Sequence, residues 1–224
     1  MSAEAGMNAN AESQKPQQAK AVRGSHRVMA AGGRVPNRLV FGSRSSKMEA
    51  SDSHGGTIRF SPMIAPVVRA VRRYHPDEDI QVLQRAYEVA NRCHEGQKRK
   101  SGDPYITHPV AVTAILAEMG ATGPVLAAGL LHDTVEDTGV SLAYLARHFS
   151  ARIVDAIEAL TRRPGESRES YLSRVRVNDL ARLVKLADIA DNTDPQRLAL
   201  LEEPTRTCLM IKYEHSLKLL HLND

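Results

Sequence analysis

The segment Gly129–Asp137 (GLLHDTVED) places a histidine and three carboxylates in a stretch that is otherwise largely apolar. In an α-helix, Glu136 would lie one turn after His132 and Asp133. Asp137 would likewise follow Asp133 by one turn, so all four side chains could converge. Chains rarely bury this much charge without a use for it, because an unpaired buried charge is strongly destabilising. The segment therefore indicates a metal site with general acid and base groups beside it.

The hydrophobic pattern predicts an all-α fold. From residue 61 onward, apolar residues recur with a helical period, and there is no alternating strand pattern of convincing length. We expect one helix to begin with Asp77 as its N-cap and to run to about Glu95. Another should begin at Gly123 and continue without a break through the His-Asp segment to Gly139. Further long helices are expected at about 178–192 and 203–222.

Charge is distributed unevenly along the 224 residues. The whole chain has 30 Lys and Arg and 26 Asp and Glu; residues 1–60 hold nine and four of these, and residues 61–224 hold 21 and 22. We therefore predict a disordered basic leader (1–60) and one nearly neutral helical domain (61–224). The leader could instead be an organelle transit peptide, although Glu4 and Glu12 argue against it, or could precede a true start at Met48 or Met63. Because it lacks interleaved aromatic residues, no DNA or RNA partner is expected.

The cysteine content and the hydropathy of the chain limit the cellular compartments in which it is expected. The two cysteines, Cys93 and Cys208, are far apart and form no CxxC pair, which argues against a disulfide framework and against a cysteine zinc site. No apolar run is long enough to span a bilayer, and the N-terminus has no apolar secretion signal. These features predict a cytoplasmic protein without a membrane partner.

A second segment, 183–192 (LVKLADIADN), has apolar residues on more than one side of the predicted helix, which indicates a buried helix. Lys185, Asp188 and Asn192 are spaced i, i+3, i+7 and share one face. A structural ion pair between Lys185 and Asp188 would account for part of this stripe. Without such a partner, either charge would be costly to bury.

His108 lies between a polar loop and an apolar helix, where a histidine could serve as a helix cap or as a surface residue. With His132, Asp133 and Asp188, however, it completes a set of two imidazoles and two carboxylates. Such a set suits Mn, Fe or Zn with one coordination position left open for water. These four residues are the candidate metal ligands.

Three motifs resemble those of the HD-domain metal-dependent phosphohydrolases, and specifically the (p)ppGpp hydrolase domain of the RelA/SpoT family. They are HEGQKRKSGDPYITHP (94–109), LLHDTVEDT (130–138) and VKLAD (184–188). Three long motifs in order, covering roughly residues 75–222 with their helical context, are far more specific than an isolated His-Asp pair. The resemblance implies an HD-type helical bundle that hydrolyses guanosine 3′,5′-bis(diphosphate). The short segment from Asp133 to Asp188, and the end of the chain at Asp224, lead us to expect a stand-alone small alarmone hydrolase.

The resemblance implies roles for the residues of the second and third motifs. The implied metal, typically Mn²⁺ in this family, would be held by His108, His132, Asp133 and Asp188. Glu136 and Asp137 would serve the attacking water and proton transfer. His94 also matches the pattern, but its place near a helix end favours a capping or packing role.

The resemblance also implies contacts to a small nucleotide substrate. Arg99, Lys100 and Ser101 match the Arg-Lys-Ser-Gly element that lines the nucleotide pocket in the family, although alone they would read as a solvated basic loop. Asn192 matches an asparagine that touches the sugar or base, and Lys185 is expected to contact the substrate as well. No feature of the sequence indicates the oligomeric state.

The chain departs from the family pattern after its last metal-binding aspartate. Long family members usually have Ala-Asp-Arg-Leu-His-Asn followed by threonine, whereas this chain has ADIADN at 187–192 followed by TDP. A second hypothesis is therefore hydrolysis of another phosphorylated nucleotide, such as a 3′- or 2′-phosphate or NADPH. A third is a non-catalytic nucleotide-binding module, which would have no reason to keep all six metal-binding and acid/base residues.

Overall fold

The computed structural model describes residues 48–51, 57–99 and 101–221, with side chains described from Phe60 onward. Eleven α-helices dominate these residues, so the all-α prediction is confirmed. They are α1 (Ala65–Tyr74), α2 (Gln81–Cys93), α3 (Thr107–Glu118), α4 (Gly123–Leu131), α5 (Thr134–Asp137), α6 (Leu142–Leu145), α7 (Ala151–Leu160), α8 (Arg168–Val177), α9 (Asp179–Asn192), α10 (Pro195–Leu198) and α11 (Glu203–Leu220). A 3-10 turn, Pro62–Ile64, precedes α1.

Two short strands precede the helices. β1 (Met48–Ser51) pairs antiparallel with β2 (Thr57–Phe60). Both lie in the segment that composition assigned to the disordered leader, and Phe60 at the end of β2 is almost fully buried. The rest of that leader prediction, for residues 1–47 and 52–56, concerns residues outside those described.

The bundle is organised around α4 and α9. α4 packs against α2, α3, α7 and α9, and α9 packs against α3, α7 and α8 as well. Leu126, Leu130 and Leu131 of α4 are completely enclosed, and burial of each such side chain contributes about 2 kcal/mol. α3 and α4 approach closely at Gly129, where a Cβ atom would lie 2.9 Å from both Leu116 Cδ1 and Thr113 Oγ1.

The long helix predicted from Gly123 to Gly139 is interrupted. α4 ends at Leu131, and α5 begins only at Thr134, with His132 and Asp133 in a turn between them. Side chains capture the carbonyl groups that a continuous helix would use: His132 Nδ1 lies 2.9 Å from Gly129 O, and Thr134 Oγ1 donates to Leu131 O at 2.7 Å. Such side-chain bonds compete with the helical ladder.

The start of α2 also differs from prediction. The helix begins at Gln81, and Asp79 rather than Asp77 accepts a hydrogen bond from the Gln81 N–H, at 2.9 Å. Ile80 is buried at the boundary, and this apolar anchor fixes where the helix can start. The helix predicted at 178–192 is confirmed, with the Asn178 side chain capping it through the Ala181 N–H at 3.0 Å.

α11 is the longest helix and packs against α8 and α9. Tyr213, Ser216 and Leu220 face the core, whereas Met210 and Ile211 are more than half exposed. Neither α11 nor any other helix within the described ranges has the length and apolar character needed to cross a membrane.

Candidate metal centre

Three segments of the bundle bring four donor side chains to one place. His108 stands in the first turn of α3, His132 and Asp133 form the turn after α4, and Asp188 lies in the middle of α9. His108 Nε2 is 3.1 Å from Asp188 Oδ1 and 3.6 Å from Asp133 Oδ2. His132 Nε2 is 3.1 Å from Asp133 Oδ2 and 4.0 Å from Asp188 Oδ1. His108, His132 and Asp188 therefore share one centre, and Asp133 borders it through its contacts with both histidines.

The donor atoms fit a divalent cation. One atom each from His108, His132 and Asp188 lie within 4.8 Å of one another, and all three residues are buried. His132 Nε2 is enclosed, and it has no hydrogen bond of normal geometry among the described residues, although Asp133 Oδ2 lies 3.1 Å away. A buried nitrogen without a partner is costly unless something else satisfies it. Mixed imidazole and carboxylate ligands are those that Mn, Fe and Zn accept.

Electrostatic interactions favour charged groups at this centre. Burial, the largest single influence, opposes ionisation, but opposite charges nearby outweigh it. Asp133 and then Asp188 raise the pKa of His132 to about 9. Lys185 and the two imidazoles hold the pKa of Asp188 well below its usual range, and His132 likewise lowers the pKa of Asp133. Both carboxylates are therefore negative across the neutral range, as metal ligands must be.

Tyr105 connects the centre to Asp137, one of the two predicted acid/base residues. Its hydroxyl oxygen lies 2.7 Å from Asp133 Oδ2 and 2.8 Å from Asp137 Oδ2. A phenol donates one proton, so the two carboxylates share it. Burial and these carboxylates raise the pKa of Tyr105, which keeps the phenol protonated. Asp137 is thus held beside a candidate metal ligand.

Glu136, the other predicted acid/base residue, has a partner outside the centre. Its Oε2 accepts a hydrogen bond from the backbone N–H of Arg162 at 2.8 Å. The loop that contains Arg162 is itself fixed by Arg174, which donates to both carboxylate oxygens of Glu166, at 2.7 and 2.8 Å. Glu136 therefore contacts the loop after α7, and its predicted convergence with His132 stays a prediction.

Lys185 and Asn192 flank Asp188 on α9, as their spacing predicted. Lys185 Nζ lies 2.9 Å from Asp188 Oδ2, and its ammonium group also lies 5.5 Å from the centre of the Tyr171 ring. Asn192 Nδ2 donates to Asp188 Oδ1 at 2.6 Å. The Lys185–Asp188 ion pair is therefore present, and it does not prevent Asp188 from facing the two histidines.

The loop between α2 and α3 turns sharply. The Arg99 N–H donates to Asp103 O at 2.8 Å, and the Gly102 N–H donates to Arg99 O at 2.9 Å. Gly102 has a φ of +90°, which a residue with a Cβ atom adopts only with strain. Ser101 is exposed and donates to Asp103 Oδ2 at 2.9 Å, so its hydroxyl is engaged within the loop.

The structure brings Arg99 but not Ser101 to the centre. Arg99 Nη2 lies 3.1 Å from Asp191 Oδ2, with only 13% of its side chain exposed. Lys100, the third predicted substrate contact of this loop, lies outside the described residues. His94, which sequence reasoning left out of the metal set, is buried against the Tyr105 ring with a centroid separation of 4.7 Å.

Sequence reasoning missed three residues of the site: Tyr105, Asp191 and Arg197. Asp191 Oδ2 accepts from His108 Nδ1 at 2.7 Å and also from Arg197. Asp191 carried a usable signal, because it lies one turn after Asp188 on a helix whose pattern indicated burial. Tyr105 lies one turn before His108, but Arg197 carried no comparable signal, since it reaches the site only through the short helix α10.

Comparisons with known proteins identify a matching family model and several similar proteins. Residues 86–209 match a family model described as HD domain. A GTP pyrophosphokinase from Streptomyces coelicolor is 43% identical over 150 residues, which are 62% of this chain and 18% of the relative. A bifunctional (p)ppGpp synthase/hydrolase RelA from Mycobacterium tuberculosis is 57% identical over 79 residues, 35% of this chain and 11% of the relative. The chain spans less than a fifth of the length of these relatives.

Two further matches are informative. A bifunctional (p)ppGpp synthase/hydrolase SpoT from Escherichia coli is 44% identical over 92 residues, 41% of this chain and 13% of the relative. A solved structure of a metazoan ortholog of SpoT, described as hydrolysing ppGpp and as acting in starvation responses, matches with a TM-score of 0.56 and 22% identity. The match covers 63% of this chain and 86% of that one, and at this identity it establishes a shared fold.

Proposed function

This chain belongs to the HD domain family, and on that premise we propose that it is a metal-dependent 3′-pyrophosphohydrolase of guanosine 3′,5′-bis(diphosphate). The observation that carries the proposal is the convergence of His108, His132, Asp133 and Asp188 around one centre. The names of the relatives, which include (p)ppGpp synthase/hydrolases, support the choice of substrate. We further propose Mn²⁺ as the metal, residues 61–224 as the hydrolase domain and the cytoplasm as its location.

The proposed reaction transfers the 3′-pyrophosphoryl group to water. A divalent ion held by the four donors would lower the pKa of a water molecule and polarise a phosphoryl oxygen. The water oxygen bonds to the phosphorus nearest the ribose, the bond from this phosphorus to the 3′-oxygen breaks, and the 3′-hydroxyl and pyrophosphate result. No covalent enzyme intermediate is needed.

Each protein group has a defined task in this scheme. The two histidines would hold the metal, and Asp137, which shares the Tyr105 hydroxyl with Asp133, would take the proton from water. Arg99 supplies positive charge next to the centre, where substrate phosphates would lie. We also propose Glu136, Lys100, Ser101, Lys185 and Asn192 as contributors to proton transfer or substrate binding, as the family resemblance implies.

The direct test is hydrolysis by the purified full-length chain. With Mn²⁺ present, the protein should convert ppGpp to GDP and pyrophosphate, measured by ion-exchange chromatography of the nucleotides. Asp133→Asn should reduce turnover at least about a hundredfold, because it removes a ligand charge. Asp155→Asn, at an exposed position of α7, is the matched control and should leave turnover unchanged. Absence of turnover by the wild type, or full turnover by Asp133→Asn, contradicts the proposal.

A second candidate is hydrolysis of a different phosphorylated nucleotide. It is favoured by the departure from the family pattern at 189–195, where Asp191 contacts Arg99 and Arg197. Arg197 Nη1 also donates at 3.2 Å to Oδ1 of Asn192, the residue expected to touch the sugar or base. Ranking ppGpp, pppGpp, nucleoside 3′-phosphates and NADPH by kcat/KM decides between the two candidates, since a clear preference for ppGpp removes the second.

A further inference from the structure

One carboxylate oxygen joins the candidate metal centre to two arginines. Asp191 is a buried residue of α9, and its Oδ2 accepts from His108 Nδ1 at 2.7 Å and from Arg99 Nη2 at 3.1 Å. The same oxygen also accepts from Arg197 Nη1. Three cationic or polar donors therefore meet at a single acceptor directly behind a candidate metal ligand.

The hydrogen bond between His108 and Asp191 determines which ring nitrogen of His108 faces the candidate metal centre. When Nδ1 carries the proton and donates it to Asp191, the lone pair of Nε2 is left facing Asp188 and Asp133. A carboxylate behind a ligating histidine fixes both the ring orientation and the tautomer, and increases the basicity of the ring. The geometry at His108 is of this kind.

Arg197 offsets the free-energy cost of burying the Asp191 carboxylate. It donates from Nη1 to the side chain of Asp191, to Asp191 O at 3.2 Å and to Asn192 Oδ1 at 3.2 Å. Its own position follows from α10, whose first turn is capped by Asp194 Oδ1 accepting from the Arg197 N–H at 3.1 Å. The donors around Asp191, led by His108, lower its pKa despite burial, so the carboxylate is ionised.

We propose that Asp191 is a positioning residue that aligns His108 for metal binding and Arg99 for the substrate, and that Arg197 acts through Asp191 by balancing its charge. The metal half of this proposal depends only on the ligand set. The substrate half rests on the proposed function, because Arg99 is assigned to phosphate there.

The test measures metal affinity apart from turnover. Mn²⁺ binding to the full chain is followed by electron paramagnetic resonance of the free ion. Asp191→Asn should weaken binding about tenfold to a hundredfold, the range typical for loss of such a partner. Asp179→Asn, an exposed position on the same helix, should bind Mn²⁺ like the wild type. Wild-type affinity in Asp191→Asn overturns the proposal, provided that its melting temperature without metal is unchanged.

A second variant decides the matter if Asp191→Asn fails to fold. Arg197 is partly exposed, and Arg197→Gln should weaken Mn²⁺ binding by a smaller factor, since Asp191 loses one of its partners. Where Asp191→Asn folds, the double variant should bind Mn²⁺ no more weakly than Asp191→Asn alone. Wild-type affinity in Arg197→Gln, or a double variant whose loss is the product of the two single losses, overturns the proposed route through Asp191.

Kinetics separate this inference from the proposed function. If the wild type hydrolyses ppGpp, Asp191→Asn at saturating Mn²⁺ should raise KM more than it lowers kcat, because Arg99 loses its anchor. A lowered kcat with unchanged KM contradicts the substrate half. If the wild type does not hydrolyse ppGpp but Asp191→Asn still weakens Mn²⁺ binding, the proposed function fails while the metal half of the inference stands.

Discussion

His108 Nε2 lies 3.1 Å from Asp188 Oδ1, and this contact joins the first turn of α3 to the middle of α9. Both side chains are buried, so the pair lies in the interior of the bundle. Because the elements that hold the two residues are themselves core helices, folding and formation of the centre are coupled.

This coupling predicts that metal stabilises the fold. A ligand that binds only the native state at 100 times its Kd adds about 2.7 kcal/mol to the free energy of unfolding. Saturating Mn²⁺ should therefore raise the melting temperature of metal-free protein, as measured by differential scanning calorimetry. Asp188→Asn should lose this shift, whereas exposed Asp155→Asn should keep it. A shift that survives in Asp188→Asn would place the stabilising metal elsewhere.

The close approach of α3 and α4 gives a prediction about packing. Gly129→Ala would put a Cβ atom 2.9 Å from Leu116 Cδ1 and from Thr113 Oγ1. Overpacking costs about 1–3 kcal/mol, partly offset by the better helix propensity of alanine. We expect a net loss of about 1–2 kcal/mol by chemical denaturation. Gly139→Ala, where no atom lies within 4 Å of the added Cβ, is the control. Equal stability of the two variants would contradict the close contact.

Tyr105 gives a prediction about catalysis. Tyr105→Phe removes the hydroxyl that Asp133 and Asp137 share. A hydrogen bond to a charged group contributes about 1.5–3 kcal/mol, so kcat for the proposed hydrolysis should fall by about tenfold to a hundredfold. Tyr74→Phe, at a half-exposed position, should retain wild-type kcat. Unchanged kcat in Tyr105→Phe would mean that the shared proton does not hold Asp137 in place.

The raised pKa of His132 predicts opposite pH effects with and without metal. Burial opposes protonation, but Asp133 and Asp188 raise the pKa from 6.5 to about 9. The folded metal-free protein therefore holds this proton more tightly than the unfolded chain does. Its contribution to stability is complete below pH 6.5 and is lost as pH rises through about 9. Mn²⁺ affinity should rise over the same window, because the proton must leave before the nitrogen can bind metal.

Denaturation in the presence of a chelator at pH 6.5 and pH 9 measures the stability of the metal-free protein. Titration with Mn²⁺ at the same two pH values measures the metal affinity. His132→Gln should flatten the pH dependence of stability. His148→Gln, at an exposed position, should preserve it. A metal-free wild type that gains stability toward pH 9 would show that the imidazole is not held in its charged form by the two aspartates.

The sequence was sufficient to predict that His108, His132, Asp133 and Asp188 lie close together, because they are charged or polar residues inside apolar helical patterns. Metal binding by these four residues stays a prediction. It was also sufficient for the order and approximate bounds of the long helices, whose periodicity is strong. The turn at 132–133 could not be predicted in this way. It depends on hydrogen bonds from His132 and Thr134 side chains to carbonyl groups, which a helical pattern does not encode.

The surroundings of the centre depend on long-range contacts that local patterns do not reveal. Glu136 binds a backbone N–H in the loop after α7, and Arg197 reaches Asp191 only because α10 turns the chain back toward α9. Asp191 itself was noted only as a departure from a family pattern. Its buried position opposite His108 gives that departure a physical role.

Anomalous X-ray diffraction from crystals grown with Mn²⁺, with data collected on both sides of the manganese absorption edge, tests the proposed metal site most directly. We expect one strong anomalous peak bounded by His108, His132, Asp133 and Asp188, with Nε2 of both histidines facing it. Metal bound to the protein with no peak at this position, or a peak only at another site, would rule out metal binding by these four residues.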